Sequence, residues 1–262
     1  MDRLTYVGHA TVLVELAGVR VLTDPLLRHR LGHVTRRVPL PDLGTLRDLD
    51  AILISHAHAD HLDIGSLRRL EHAGPVIVPR GCARLLRRAR VGELIELDVG
   101  DRRRVGALEV EAVDAVHDGR RHPLGRDIPT LGFLIGDSVL FAGDTDLHDG
   151  MAALRGRVDV ALLPVWGWGP RLPAGHLGPE TAARAVEHIQ PRIAIPIHWG
   201  TMRSPGERTL HDPRAPATAF AAAVAQLELP TRVEILDPGE GLVLGEGEAS
   251  PESGDAPGTA RA

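Results

Sequence analysis

Residues 55–61 read SHAHADH and form a dense group of side chains that are able to do chemistry. Three histidines and one aspartate lie within six consecutive positions there: His56, His58, Asp60 and His61. Burying so many polar side chains is costly unless a partner satisfies them. Neutral imidazole and carboxylate are good ligands of Zn²⁺, and also of iron and manganese. The stretch therefore predicts a metal site.

The spacing within this stretch favours two ions over one. His56 and His58 are two residues apart in chain that leaves a predicted strand, so their side chains point the same way. Asp60 and His61 follow where the chain turns towards a predicted helix, and they aim at a neighbouring point. One ion could not easily bind all four side chains, whereas two adjacent ions could share them.

Two ions need further ligands, and three candidates stand at the ends of apolar runs elsewhere in the chain. His117 ends the run VDAVH, Asp144 ends VLFAGD, and His198 ends IAIPIH. Buried strands end at one edge of a sheet, so these side chains can meet the histidine stretch there. The full set has five histidines and two aspartates, which suffices for two metals with a water between them. His122 lies close to His117 in the sequence and could take its place.

Short apolar runs rich in β-branched residues predict the strands that position these side chains. The predicted strands cover residues 4–18, 19–25, 51–55, 75–79, 93–97, 107–116, 130–136, 138–144, 158–164, 192–198 and 232–236. Helices are predicted at residues 64–73, 81–90, 178–190 and 215–227, with a helical turn at 151–156 and a polar loop at 26–49. Residues 1–244 are predicted to form one domain. The tail 245–262, rich in Gly, Pro, Ser and Glu, is predicted to be disordered because it cannot bury enough apolar surface.

The composition narrows the class of protein. The chain has 262 residues, 43% of them hydrophobic, enough for one large domain with a buried core. Its formal net charge of -5 argues against a nucleic-acid-binding protein, which usually has a basic excess. The N-terminal sequence lacks the pattern of a secretory signal, and no apolar run approaches the length of a membrane span. These features predict a cytoplasmic enzyme with no nucleic-acid partner and no membrane span.

The order of the candidate ligands resembles the metallo-β-lactamase fold superfamily. The family pattern is H-x-H-x-D-H, then a histidine, an aspartate and a histidine. HAHADH, His117, GDT at Asp144 and PIHWG at His198 match it in this order. GHAT around His9 and PIHWGT also resemble one branch, which includes the ascorbate-phosphate lactonases and the N-acylphosphatidylethanolamine phospholipase D enzymes.

The resemblance implies an α/β fold, namely a four-layer αβ/βα sandwich with two metal ions at the edge between the sheets. The ions are expected to be divalent, with zinc favoured and manganese or iron as alternatives. A water or hydroxide between the ions is the implied nucleophile. The ligands that the resemblance implies are His56, His58 and His117 for the first ion, Asp60, His61 and His198 for the second, and Asp144 as a bridge between them. Asp24 is then a candidate to fix the tautomer of one histidine, or it simply starts a turn before Pro25.

The predicted function is hydrolysis of an ester, lactone or phosphodiester of a small or lipid-like substrate. Asp60, or a water that it holds, is expected to handle the proton, and His176 and His9 are candidate acids for the leaving group. The alternatives are a metal-dependent nuclease or RNA-processing enzyme of the same fold, and a member that binds metal without hydrolysis.

Three other groups of residues have two interpretations each. His9 either faces the site or has a structural role. Trp166 and Trp168, in the stretch WGWGP, either line a pocket or pack against the sheet edge. The arginine runs 102–104 and 120–121 are most simply solvated, although the second follows His117 closely and could instead contact an anionic substrate.

Overall fold

The structure of the chain is a computed structural model that describes residues 1–87, 89, 91–122, 125–167, 169, 171–205 and 212–245. Trp168 and the predicted disordered tail, except Gly245, lie outside the described residues. The helices in the described part are α1 (Ile64–Leu70), α2 (Ala83–Leu86), α3 (Pro179–Ile189) and α4 (Ala215–Ala225), with 3₁₀ turns at Leu43–Leu46 and Asp149–Leu154. The strands there are β1 (Arg3–Gly8), β2 (Thr11–Leu16), β3 (Val19–Thr23), β4 (Arg30–Leu31), β5 (Val34–Arg36), β6 (Ala51–Leu53), β7 (Val76–Pro79), β8 (Leu94–Leu97), β9 (Arg102–Val105), β10 (Leu108–Asp114), β11 (Leu131–Ile135), β12 (Val139–Phe141), β13 (Val160–Pro164), β14 (Ile193–Ile197), β15 (Met202–Arg203), β16 (Arg232–Val233) and β17 (Gly241–Val243).

Two seven-stranded sheets contain most of these strands. The first has the order β17-β1-β2-β3-β6-β7-β8 and the second the order β16-β14-β13-β12-β11-β10-β9. Each sheet is antiparallel in one half and parallel in the other; the parallel halves run from β3 to β8 and from β12 to β16. A small sheet, β15-β5-β4, accompanies them. The carboxyl ends of neighbouring parallel strands lie at one edge of a sheet, which is where loops can present functional groups.

Side-chain alternation divides the apolar residues of the first sheet between two cores. Leu53 packs into a large core that it shares with the second sheet, whereas its neighbour Ile52 packs into a smaller core together with residues of α1 and α2. On the second sheet, α3 contacts β13 and α4 contacts β14, burying Val186 and Phe220. The layers therefore run helix, sheet, sheet, helix, which confirms the predicted four-layer αβ/βα architecture.

Helix α3 shows how local sequence fixes an element. Gly178 precedes it, its backbone N–H donates to the Thr181 hydroxyl at 2.8 Å, and Pro179 opens the first turn with its ready-made backbone angle. Gln190 ends the helix in the left-handed conformation, with φ of +53°. The structure confirms the helix predicted over residues 178–190 to within one residue at each end. None of the helices in the described ranges is both long and apolar enough to cross a membrane.

Several local predictions were wrong. The helix predicted over residues 81–90 covers only Ala83–Leu86, and the loop predicted over 26–49 contains β4 and β5. The arginine run 102–104 is exposed, as predicted, but it forms the edge strand β9, which the sequence did not predict. Arg102 pairs with Glu111 directly across the strands at 2.7 Å and with Glu109 diagonally at 2.8 Å. β17, a strand that the sequence did not predict, pairs with β1.

Candidate metal centre

All seven predicted metal ligands lie at one edge of the two sheets. The stretch 55–61 begins two residues after β6, and His198 directly follows β14. His117 and Asp144 each lie three residues after a strand, β10 and β12 respectively. β10 runs in the same direction as β12 because both are antiparallel to β11, so both strands end at the same edge. The fold thus brings together residues that are far apart in the sequence.

Three residues at this edge have a strained backbone conformation. His9, Asp24 and His198 all have positive φ, at +59°, +31° and +63°. Such a conformation costs a non-glycine residue on the order of 1–3 kcal/mol and persists only where surrounding contacts enforce it. One such contact is the hydrogen bond from the His198 N–H to the His9 carbonyl, at 2.8 Å. Strain of this kind is typical of functional sites.

His56, His58 and His117 direct one ring nitrogen each at a common point. His58 Nδ1 lies 3.0 Å from His56 Nε2 and 3.1 Å from His117 Nε2. The far nitrogens are engaged as donors, because His58 Nε2 lies 3.1 Å from the Arg120 carbonyl and His117 Nδ1 lies 2.7 Å from the Gly175 carbonyl. A neutral imidazole has one donor and one lone pair. His58 Nδ1 and His117 Nε2 therefore face each other with lone pairs.

The third histidine, His56, also has its proton on the ring nitrogen that points away from the common point. The Ser55 hydroxyl donates to Asp24 Oδ2 at 2.5 Å, so its oxygen accepts from His56 Nδ1 at 2.9 Å. His56 Nε2 then also carries a lone pair. Three converging lone pairs repel one another unless a cation lies among them. Two nitrogens bound to one tetrahedral zinc are about 3.3 Å apart, close to the spacing here.

His61 and His198 direct ring nitrogens at a second point. We call the group of His56, His58 and His117 the first convergence, and the group of His61, His198 and Asp60 the second convergence. His61 Nδ1 donates to Asp24 Oδ2 at 2.6 Å, and His198 Nδ1 donates to the Trp166 carbonyl at 2.8 Å. These bonds leave both Nε2 atoms directed at each other, 3.2 Å apart. Asp60 Oδ2 lies 3.7 Å from His61 Nε2. Two imidazoles and a carboxylate thus surround a second point that suits a divalent cation.

Asp144 lies between the two convergences. Its Oδ2 is 3.2 Å from His61 Nε2, its Oδ1 is 3.4 Å from His198 Nε2, and it also has a ligand atom within 4.8 Å of His117. Oδ1 is buried and has no hydrogen-bond partner among the described residues. A buried carboxylate oxygen without a donor is costly. A bound cation would satisfy it, so the residues present fit a pair of metal ions.

The proton affinities follow from burial and from the crowded charges. Burial lowers the pKa of His198 to about 3 and the pKa of His56 well below its ordinary value, which favours the neutral, metal-binding form. Burial opposes the charged form of Asp144, but the charges of His198 and His61 outweigh it, so the Asp144 pKa lies well below its ordinary value. For His61, burial is outweighed by Asp144, Asp60 and Asp24, which raise its pKa well above the ordinary value. A cation bound beside His61 must therefore displace a proton.

Two residues support the centre beyond the predicted ligands. Ser55 links Asp24 to His56 and was missed, although a hydroxyl buried beside a histidine at a strand end is a usable signal. His9, whose role the sequence left open, faces the site: its Nε2 lies 3.1 Å from Asp60 Oδ2, and its ring centroid lies 3.9 Å from that of His198. His9 is close enough to Asp60, His61 and His198 to be a further ligand.

His176 lies at the mouth of the centre. Its Nε2 is 3.4 Å from Asp144 Oδ2, its ring stands edge-on to His117 at 4.5 Å, and 14% of its side chain is exposed.

His122 is exposed and belongs to none of the candidate metal groups among the described residues, whereas His117 belongs to two. Trp166 is half-buried against the core, and its indole N–H donates to the Gly169 carbonyl at 3.2 Å.

Arg121 corrects the prediction that residues 120–121 are simply solvated. Arg120 is exposed and pairs with Asp118 at 3.0 Å, as a solvated arginine can. Arg121 is half-buried, and its Nη1 donates to the carbonyls of Ala57 at 2.7 Å and Leu62 at 3.0 Å. Both carbonyls flank the turn that carries Asp60 and His61, so Arg121 supports the loop that holds two candidate ligands.

Replacing Asp24 with asparagine should weaken metal binding by roughly 10–100-fold. Asp24 accepts from the Ser55 N–H and hydroxyl and from His61 Nδ1, so an amide N–H₂ must oppose at least one donor. Competition with a zinc indicator dye measures the affinity. Asp63→Asn is the matched control, because Asp63 is equally buried but bonds to Arg28 and Ser66. Equal affinities in the two variants would contradict the orienting role of Asp24.

Comparisons with known proteins agree with this geometry. Residues 19–199, which include all seven candidate ligands, match the model of the beta-lactamase superfamily domain. A UPF0173 metal-dependent hydrolase of Methanopyrus kandleri is 34% identical over 250 residues, covering 91% of this chain and 98% of the relative. Igni18, a metallo hydrolase from Ignicoccus hospitalis, shares the fold with a TM-score of 0.72 at 24% identity, covering 94% of this chain and 99% of that one.

Two further relatives are longer than this chain. An uncharacterized protein of Mycobacterium tuberculosis is 32% identical over 76% of this chain, and the match spans 59% of that relative. An N-acyl-phosphatidylethanolamine-hydrolyzing phospholipase D of Caenorhabditis elegans is 30% identical over 75% of this chain and 63% of that relative. The chain thus spans about three fifths of the length of these relatives.

Proposed function

The chain belongs to the β-lactamase superfamily of metal-dependent hydrolases, and we propose that it is a binuclear enzyme that cleaves an ester, lactone or phosphodiester of a small or lipid-like substrate. The observation that carries the proposal is the pair of adjacent convergences, each with facing imidazole nitrogens 3.0–3.2 Å apart. A structural zinc site is normally closed by four ligands, often cysteines. Here Asp60 and His176 each keep 14% of their side chains exposed, so a substrate can reach the centre.

The proposed ligands of the first ion are the lone-pair nitrogens of His56, His58 and His117. Asp60, His61 and His198 would hold the second ion, and Asp144 would bridge the two. Zinc is the metal we expect, because imidazole and carboxylate suit it, although the same ligands also suit manganese and iron. When bound, the ions would polarise the carbonyl or phosphoryl oxygen of the substrate and lower the pKa of water from 15.7 to about 7.

The side chains around the centre have separate tasks in this proposal. Burial opposes ionisation of Asp60, but His61 and His9 outweigh it and hold the Asp60 pKa well below its ordinary value. Such a carboxylate is a better hydrogen-bond acceptor than proton acceptor, so we assign it to hold and orient the attacking water. Asp24 and Ser55 keep His61 and His56 in the tautomers that direct lone pairs inward.

His176 is the proposed acid that protonates the leaving group. Burial lowers its pKa, but its hydrogen bond to Asp144 and the charge of Asp144 outweigh burial and raise the pKa above the ordinary value. A histidine whose pKa is raised holds its proton more tightly, which suits this task. Its place at the mouth of the centre lets it reach a group that departs towards solvent.

A His176→Gln variant is expected to show a strong dependence on the leaving group. Hydrolysis of an alkyl ester should fall roughly 10²–10⁴-fold, because an alkoxide leaves poorly without a proton. Hydrolysis of the matching p-nitrophenyl ester should change little, since p-nitrophenolate needs no acid. The ratio of the two kcat/KM values is the measurement. A second variant, His148→Gln, alters a histidine outside the candidate metal groups and should leave the ratio unchanged. Equal losses on both esters in His176→Gln would contradict the assignment.

A hydrolysis panel tests the proposed function itself. The metal-loaded protein should cleave at least one of a p-nitrophenyl ester, bis-p-nitrophenyl phosphate and a simple lactone. The Caenorhabditis elegans relative is named for hydrolysis of a phospholipid, which supports a lipid-like phosphodiester as one substrate class. Cleavage of nucleic acid alone would favour the nuclease alternative, and metal binding without any hydrolysis would favour a non-hydrolytic role.

A further inference from the structure

A cavity of about 540 Å³ beside the metal centre is lined by four arginines and one carboxylate. The arginines are Arg28, Arg68, Arg69 and Arg121, and the carboxylate is Asp63. They come from three separate segments: the chain after β3, helix α1 with its approach, and the loop after β10. We call this space the arginine cavity. Four of its nine lining residues are thus arginines, in a chain whose formal net charge is -5.

The single carboxylate cannot neutralise these charges. Asp63 is buried, and it already accepts hydrogen bonds from Arg28 Nη1 at 2.9 Å and from the N–H and hydroxyl of Ser66 at 2.9 and 2.6 Å. Arg69 and Arg121 contact only carbonyl oxygens among their described hydrogen bonds. Each guanidinium has five N–H donors, more than these contacts use. Arg69 and Arg121 therefore bring to the cavity positive charge and N–H donors beyond those that their described hydrogen bonds use.

The arginine cavity shares a wall with the metal centre. Ala59 lines the cavity and stands between His58 and Asp60, two candidate ligands. Arg121, which also lines it, donates to the carbonyls of Ala57 and Leu62 at the two ends of the same loop. The cavity and the metal centre therefore lie next to each other, separated by the loop 57–62.

We propose that the arginine cavity binds an anionic group of the substrate, such as a phosphate or carboxylate, away from the bond that is cleaved. Guanidinium forks bind such planar or tetrahedral oxyanions with paired hydrogen bonds. Binding a remote group in this way positions the reacting bond. This inference rests on the proposed function, and it narrows the substrate to esters or phosphodiesters that carry a second, negatively charged group.

Kinetics with matched esters test the inference. One substrate is p-nitrophenyl butyrate, which is neutral, and the others are mono-p-nitrophenyl esters of succinate, glutarate and adipate, which carry a carboxylate at increasing distance. We expect kcat/KM to be higher for at least one anionic ester by roughly 10–100-fold. The double variant Arg68→Gln, Arg69→Gln should lose this preference and keep its rate on the butyrate ester.

Two further variants control for the loss of positive charge in general. Arg103→Gln, Arg104→Gln removes the same number of charges from exposed positions on edge strand β9, and it should keep the preference. Arg69→Lys retains the charge and should keep part of the preference if a negative group is bound there. Equal preference for the anionic ester in the wild type and in both double variants would overturn the inference.

A binding measurement separates this inference from the proposed function. Sodium sulfate should raise the unfolding temperature of the wild type more than sodium chloride of equal ionic strength. The excess should disappear in Arg68→Gln, Arg69→Gln and persist in Arg103→Gln, Arg104→Gln. Both double variants keep the metal ligands, so sulfate bound at the metal centre cannot cause the difference. Loss of the sulfate effect in Arg68→Gln, Arg69→Gln, together with no hydrolysis of the ester, the phosphodiester or the lactone by the wild type, would support the anion site and reject the proposed hydrolase. Hydrolysis without charge preference or sulfate effect would reject the site alone.

Sedimentation with phosphatidylglycerol vesicles separates two sources of the same anionic chemistry. Binding to vesicles that depends on Arg68 and Arg69 would support an anionic lipid headgroup as the group held in the cavity. Preference for the anionic esters without vesicle binding would support a soluble substrate.

Discussion

Asp144→Asn is expected to lose at least one metal ion per chain and to reduce hydrolysis by roughly 10²–10⁴-fold, because metal ions supply several kcal/mol of transition-state stabilisation. Asp144 approaches both convergences, with Oδ2 3.2 Å from His61 Nε2 and a ligand atom within 4.8 Å of His117. An amide of the same shape keeps the packing but is neutral and a poor ligand. The change therefore tests charge and ligation, not volume.

The matched control for this variant is Asp146→Asn. Asp146 lies two residues further along the same loop and is half-buried, and its side chain accepts a local hydrogen bond from the Leu147 N–H at 2.8 Å. Its variant should keep metal content and activity. Metal content by plasma emission and kcat/KM on the best substrate of the panel are measured together. An Asp144→Asn protein with full metal content and full activity would remove Asp144 from the centre.

Removal of the metal ions should lower the unfolding temperature by roughly 8–16 °C. The lone pairs of His56, His58 and His117 face one another, and the buried Oδ1 of Asp144 has no hydrogen-bond partner among the described residues. A cation stabilises the folded state by satisfying these groups. A ligand present at 1,000 times its Kd stabilises by about 4.1 kcal/mol, and 1 kcal/mol shifts the unfolding temperature of a domain of this size by roughly 2–4 °C.

Calorimetry before and after dialysis against a chelator measures this shift. Adding zinc back should restore the original unfolding temperature. Asp144→Asn starts with fewer ions and should shift less than the wild type, which separates metal release from other effects of the chelator. An unfolding temperature that is the same with and without chelator would show that the lone pairs are satisfied in another way.

The positions of the candidate ligands could be predicted from the sequence because each follows an apolar run. His198 directly follows β14, and the stretch 55–61 begins two residues after β6, so the ends of buried strands marked the edge where side chains meet. The four-layer architecture followed from the resemblance and is confirmed. Metal binding by these residues stays a prediction.

The hydrogen bonds that orient the histidines could not be predicted. The carbonyls of Arg120, Gly175 and Trp166 fix His58, His117 and His198 respectively, and backbone carbonyls leave no trace in a sequence. Only the folded loops bring them to the rings. The role of Arg121 was hidden for the same reason, since its partners are the carbonyls of Ala57 and Leu62.

The edge strands β9 and β17 were also not predicted from the sequence. β9 is rich in arginine and β17 begins at a glycine, so neither shows the apolar alternation of a half-buried strand. Each forms because a neighbouring strand offers unpaired backbone groups, β10 for β9 and β1 for β17. Pairing with a partner that is distant in the sequence, as for β17, cannot be derived from local composition.

The most direct test of the account is the number of metal ions per chain in protein purified without added metal. Plasma emission spectroscopy, with the protein concentration from amino-acid analysis, should give about two ions per chain, with zinc the expected element. His58→Ala and His198→Ala should each reduce this number by about one, because each removes a ligand from a different convergence. A wild-type protein that holds no ion, even after incubation with zinc, manganese and iron, would contradict the binuclear centre and the hydrolytic function proposed from it.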